Sequence, residues 1–134
     1  MKGKIDHIGI AVNSIKESIK LYSELLGVKP SGEEVLEERG LKVAFLEMGD
    51  TRIELLEPLN ENSQVSKFLS KKGPGFHHMA YEVENVEQSI EKAKNLGFKP
   101  LTDEGQPGAH NTTIVFLHPK SANGILTELV QHNK

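Results

Sequence analysis

Ile5, Ile8, Ile10 and Val12 mark a short strand whose two faces differ. Alternation at period two puts Ile8, Ile10 and Val12 on one face and His7, Gly9 and Ala11 on the other. The bulky face suits packing on helices, and the small-residue face leaves room beside His7. Ser14-Ile15-Lys16-Glu17 then fits a capping box, with Ser14 as N-cap. Ile15, Ile19, Tyr22 and Leu26 follow at helical spacing and Gly27 closes the helix. Strands are predicted over 28–37, 41–48 and 51–57, with a charged turn at Glu37-Glu38-Arg39-Gly40 and a second turn at Gly49-Asp50. The order is β-α-β-β-β. A polar joint over 58–74 contains Val65, Phe68 and Leu69, which suggest a short helix.

The same order then returns. The pattern predicts a strand over 76–84, a helix over 86–96 closed by Gly97, a short strand over 98–102, and strands over 112–118 and 125–131. The Gly/Pro-rich stretch 104–110 reads as a loop able to move over a ligand. His132 is left to the tail. The recurrence extends to single residues. Asp6-His7-Ile8-Gly9-Ile10-Ala11-Val12 reads against His77-His78-Met79-Ala80-Tyr81-Glu82-Val83, and Leu26-Gly27-Val28-Lys29-Pro30 against Leu96-Gly97-Phe98-Lys99-Pro100. Arg52-Ile53-Glu54-Leu55-Leu56 reads against Thr127-Glu128-Leu129-Val130, with Glu54 on Glu128. Each half therefore carries a His early and a Glu late. If the halves pack as a pseudo-twofold pair, His7, Glu54, His78 and Glu128 converge.

Imidazole nitrogens with carboxylate oxygens suit Co²⁺, Ni²⁺, Mn²⁺ or Zn²⁺. Four such ligands leave two positions of an octahedral shell for water or for a substrate that chelates through two oxygens. Taken singly, each residue has a plainer reading: a strand histidine packed in the core, a glutamate on a solvent-facing edge. Their equivalence in the repeat favours the metal. His77 competes with His78, but neighbours on a strand face opposite ways, and the repeat selects His78. His110 is either a solvated loop residue or a lid contact. His118, in His118-Pro119-Lys120, either shapes a turn or, with Lys120, contacts a ligand phosphate or carboxylate. Lys71-Lys72 is a small basic pair of the kind usually found on solvated surface.

Composition narrows the classes. A chain of 134 residues, 37% hydrophobic, is enough for one domain, expected to span 1–134 with modules at about 1–58 and 76–134 joined by 59–75. Cysteine is absent, which removes disulfides and thiolate ligands and fits a reducing compartment. A net charge of −3 argues against a general nucleic-acid binder. Met1-Lys2-Gly3-Lys4-Ile5-Asp6 runs into the first strand without an apolar signal region, and no run is long enough to cross a membrane. The expectation is a cytoplasmic protein without membrane or nucleic-acid partners.

The motifs Asp6–Val12, Gly49-Asp50-Thr51-Arg52-Ile53-Glu54-Leu55-Leu56-Glu57-Pro58-Leu59, Gly75–Val83, and Phe116-Leu117-His118-Pro119-Lys120-Ser121 running to Gly124-Ile125-Leu126-Thr127-Glu128-Leu129 resemble the vicinal oxygen chelate superfamily. Within it they look like the methylmalonyl-CoA epimerase family, over nearly the whole chain. The resemblance implies an α+β fold in which two tandem βαβββ modules form a curved, cup-like mixed sheet around a metal site. It implies a divalent metal, Co²⁺ first, with Ni²⁺, Mn²⁺ or Zn²⁺ as options, held by His7, Glu54, His78 and Glu128. It also implies an acyl-CoA substrate and a homodimer, and pairing of copies would cover exposed strand edges. The expected reaction is interconversion of (R)- and (S)-methylmalonyl-CoA, with Glu128 as one acid/base group and Glu54, Glu47 or a bound water as the other. Two departures stand out. Some members carry Gln at the position of Glu54, and a Glu proposed as a base in some members aligns with Val43. Glyoxalase I shares the ligand set but usually has a Pro-Asp-Gly-Tyr-like turn where this chain has Ser121-Ala122-Asn123-Gly124-Ile125. A non-catalytic small-molecule binder is the alternative from another class.

Overall fold

The computed structural model describes residues 3–134. Met1 and Lys2, which open the expected N-terminal approach, lie outside the described residues. The chain divides into two compact units, His7–His77, and His78–Lys134 together with residues 3–6.

In the first unit the strands β1 (Ile5–Ala11), β2 (Pro30–Leu36), β3 (Leu41–Met48) and β4 (Thr51–Pro58) lie in the order β2-β3-β4-β1. β1 runs parallel to β4, and the other pairs are antiparallel. The period-two reading holds. Ile10, Ile53, Leu55, Ala44 and Leu46 pack with Ile15, Ile19 and Tyr22 of the helical segment, and the opposite face carries His7. The helix α1 (Ile15–Lys20) starts where expected, with the Ser14 hydroxyl accepting from the Glu17 N–H at 3.2 Å. It does not continue as a regular helix to Leu26. Residues Leu21–Leu25 form a π turn in which the Leu26 N–H donates to the Leu21 carbonyl. The wider turn shifts the helical phase, so Leu26 is exposed rather than inward. Gly27, at φ 71°, ends the segment as the pattern required. The joint holds α2 (Gln64–Lys72), capped by Ser63.

The second unit repeats the plan with β5 (Gly75–Glu82), β6 (Gln106–Gly108), β7 (Thr112–Leu117) and β8 (Thr127–His132), ordered β5-β8-β7-β6. β5 is parallel to β8. The helix α3 (Val86–Asn95) packs Val86 and Ile90 on Val115 and Leu129, while Ala80, Ile114 and Val130 form the core of the other face. Here the sequence reading misplaces one strand. Residues 98–102 form no strand; Pro100 makes only an isolated bridge to Leu117, because proline supplies no N–H to extend a ladder. The third strand of this unit is instead Gln106–Gly108, within the stretch read as a mobile loop, paired antiparallel to Thr112–Ile114. As an edge strand it tolerates Pro107. His132 is not tail: it ends β8 and its Nε2 pairs with the Asp6 carboxylate.

The two units share an anchoring device that no residue pattern announced. The Glu57 carboxylate accepts the Ile15 N–H at 2.8 Å, and the Gln131 amide oxygen accepts the Val86 N–H at 2.8 Å. Each acceptor lies three residues beyond the glutamate of its repeat, so one strand both carries that glutamate and holds the first turn of the helix beneath it. With the Asn85 side chain accepting from the Gln88 N–H at 2.9 Å, Asn85→Ala is expected to cost about 1 kcal/mol of stability, read by urea denaturation. Among the described residues no helix is long and apolar enough to cross a membrane.

Candidate metal centre

In the first unit, strand register brings the chemistry to one face. β4 places Arg52 opposite His7 and Glu54 opposite Gly9, and β3 places Phe45 opposite Glu54 and Val43 opposite Leu56. Gly9 and Ala11 keep β1 low beside His7, as the alternation suggested. His7 and Glu54 are 4% and 5% exposed. His7 Nδ1 lies 3.4 Å from Glu54 Oε2. Arg52 donates to the same oxygen twice, from Nη2 at 2.8 Å and Nε at 3.1 Å, and its guanidinium lies over the Phe45 ring at 5.4 Å.

The second unit builds an equivalent pair. Register sets Ala80 opposite Glu128 and Phe116 opposite Glu128, so His78, two residues before Ala80, shares their face. His78 and Glu128 are 2% and 3% exposed, and His78 Nε2 lies 2.8 Å from Glu128 Oε1. Phe116 meets the His78 ring edge-on at 5.4 Å. Its apolar ring shields the pair on that side.

Each half thus holds a buried imidazole nitrogen beside a buried carboxylate oxygen. Ligands at metal bonds of roughly 2.0–2.2 Å stand about 3 Å apart when adjacent in an octahedral shell. The 2.8 Å separation of His78 Nε2 from Glu128 Oε1 matches that spacing, and the nitrogen–oxygen donor set of both pairs suits a divalent first-row ion. Burial adds to the fit, because a carboxylate removed from water needs a cation or donors beside it.

The other sequence candidates separate from this chemistry. His77 points to the opposite face of β5 and packs edge-on against Phe68 at 4.9 Å. His110 is exposed, in a left-handed turn with Asn111. His118 forms the turn of its plainer reading, its Nδ1 accepting the Lys120 N–H at 3.0 Å. Lys120 is exposed. Lys72 extends over the Phe68 ring at 5.8 Å. Arg52 escaped the sequence reading, although its place two residues before Glu54 on one strand put it on the same face. Val43 is buried on that face and carries no proton.

The family model for the Glyoxalase/Bleomycin resistance protein/Dioxygenase superfamily matches residues 6–116. Mitochondrial methylmalonyl-CoA epimerase of Mus musculus is 37% identical over 130 residues, covering 96% of this chain and 73% of that protein. The chain belongs to the methylmalonyl-CoA epimerase family of this superfamily. Another epimerase relative, the ethylmalonyl-CoA/methylmalonyl-CoA epimerase of Cereibacter sphaeroides, is 37% identical over 134 residues and is matched over 99% of its length. Among solved structures, a variant of the Streptomyces coelicolor methylmalonyl-CoA epimerase in complex with 2-nitronate-propionyl-CoA superposes with a TM-score of 0.92 at 37% identity, covering 96% of this chain and 94% of that one. The fold is therefore the glyoxalase fold that the motifs implied. Lactoylglutathione lyase relatives stand further off than the epimerases, at 28% identity.

Proposed function

We propose that this chain is a methylmalonyl-CoA epimerase, removing the α-proton beside the thioester and returning it to the opposite face. The observation that carries this reading is the pair of buried imidazole–carboxylate half-sites at repeat-equivalent positions in a chain of the epimerase family. His7, Glu54, His78 and Glu128 would together hold one divalent ion, Co²⁺ in the first place. That ion supplies Lewis-acid stabilisation of the negative charge that develops on the thioester oxygen as the proton leaves.

The chain's own groups must move the proton. Inversion needs delivery to both faces of the carbon, since one base on one face only exchanges the proton it removed. Glu128 supplies one acid/base group. The other comes from the Glu54 face of the first unit, where Val43 is inert and Glu47 is the next carboxylate along β3, accepting from the Ser31 hydroxyl at 3.1 Å. Phe116 limits water beside His78 and Glu128. His118 and Lys120 hold a phosphate or carboxylate of the acyl-CoA: with Nδ1 accepting from the Lys120 N–H, a neutral His118 ring keeps its proton on Nε2 as a donor. A second copy of the chain, pairing to cover strand edges, and a cytoplasmic location complete the proposal.

The test is proton exchange on methylmalonyl-CoA in heavy water with Co²⁺ present, read as deuterium at the α-carbon by mass spectrometry, with epimer conversion followed by a stereospecific coupled enzyme. Metal-dependent exchange with inversion is the expected result. Exchange without inversion leaves one competent base and a different true substrate. Absence of exchange in the metal-loaded protein overturns the reading and directs the assay to the hemithioacetal of methylglyoxal and glutathione.

A further inference from the structure

We infer that Arg52 is a positioning residue that cancels the charge of Glu54 and fixes which of its oxygens faces an ion. The inference rests on the metal reading proposed above. Arg52 is held on the face of His7 and Glu54 by strand register, its side chain only 12% exposed. Two of its bonds run to Oε2 of Glu54, the oxygen that His7 Nδ1 also approaches at 3.4 Å. Three nitrogens thus crowd one oxygen, and Oε1 becomes the atom Glu54 offers to an ion, through one oxygen rather than two. A guanidinium keeps its proton at any working pH. The Glu54–Arg52 pair therefore acts as a neutral donor, and the charge of the four-ligand set falls to that of Glu128 alone. A dication held there keeps a net positive charge, which favours an acyl group bearing a free carboxylate and a developing negative charge on its thioester oxygen.

Stability alone is a poor reason for this pair. Two buried charges are often matched or bettered by apolar residues of similar volume, and the Phe45 ring beneath Arg52 would accept such a neighbour. Removing one partner and leaving the other is what costs.

The experiment is a double-substitution cycle read by Co²⁺ titration calorimetry and by Tm, on wild type, Glu54→Gln, Arg52→Met and the double variant. Glu54→Gln alone leaves the Arg52 cation facing the ion, so Co²⁺ binding is expected to weaken about 100-fold and the metal-free Tm to fall by roughly 10 °C. Adding Arg52→Met to it is expected to recover about tenfold in Co²⁺ affinity and most of the Tm loss. Arg52→Met alone is expected to tighten Co²⁺ binding while raising KM for the acyl-CoA. A double variant that binds Co²⁺ as weakly as Glu54→Gln, or more weakly, overturns the inference while leaving the metal reading intact. Wild type that takes up no stoichiometric Co²⁺ overturns the metal reading instead, and the Tm cycle on metal-free protein then still reports whether Arg52 and Glu54 are coupled.

Discussion

Glu128→Gln is expected to lower kcat for epimerisation by about 10³-fold, equivalent to about 4 kcal/mol of transition-state stabilisation. The substitution keeps the volume of the side chain and an oxygen that can face His78 Nε2, now at 2.8 Å from Oε1. It removes the negative charge and the ability to take a proton. Because the residue is 3% exposed, water cannot readily stand in for it. Coupled-assay kinetics give kcat. Metal content by atomic emission separates the two roles proposed for the side chain. A variant that retains its metal and still exchanges one face with heavy water, without inverting, identifies Glu128 as one of two proton carriers. A variant that loses the metal makes it first a ligand. Full activity with full metal content would remove Glu128 from the mechanism. His77→Ala is the internal control: that ring lies against Phe68 on the far face of β5, and its loss leaves the proton chemistry in place.

Most of what builds the two half-sites was legible because two independent patterns coincide in the chain. Period-two alternation set the face of His7, and the repeat paired His7 with His78 and Glu54 with Glu128. In the structure Glu54 lies opposite Gly9 and Glu128 opposite Ala80, each two residues beyond the histidine of its repeat. What escaped was set by backbone geometry or by distant partners. The π turn at Leu21–Leu25 replaces one hydrogen-bond spacing by another, and residue type alone does not distinguish the two. The strand Gln106–Gly108 contains a proline and two residues of weak strand preference, and only the neighbouring Thr112–Ile114 segment gives it a ladder. Asp6 and His132 lie at opposite ends of the chain, so their pairing has no local signature. The same holds for the Glu57 and Gln131 anchors, which act on helix termini far away in sequence. Arg52 is a different kind of omission. Its face was readable, but a cation beside a proposed metal ligand has meaning only once the two bonds to a single oxygen are seen.

Removing divalent ions with a chelator is expected to abolish epimerisation, by about 10³-fold or more, and to lower Tm. Re-addition of Co²⁺ is expected to restore both. The two effects have one source. Glu54 and Glu128 are buried carboxylates, each beside a buried imidazole, and such groups are costly to keep from water unless a cation or donors face them. An ion that binds the folded chain and not the unfolded one stabilises it by mass action, by about 4 kcal/mol when present at 1,000 times its Kd. Each carboxylate keeps a neighbour after chelation, Glu54 the Arg52 guanidinium at 2.8 Å and Glu128 the His78 imidazole at 2.8 Å. Amide hydrogen exchange on the chelated protein should therefore quicken along Thr127–His132 and Thr51–Pro58 without loss of the fold. Unchanged exchange in both strands would mean that no ion stabilises them, and unchanged activity after complete metal removal would mean that His7, Glu54, His78 and Glu128 serve the reaction without an ion.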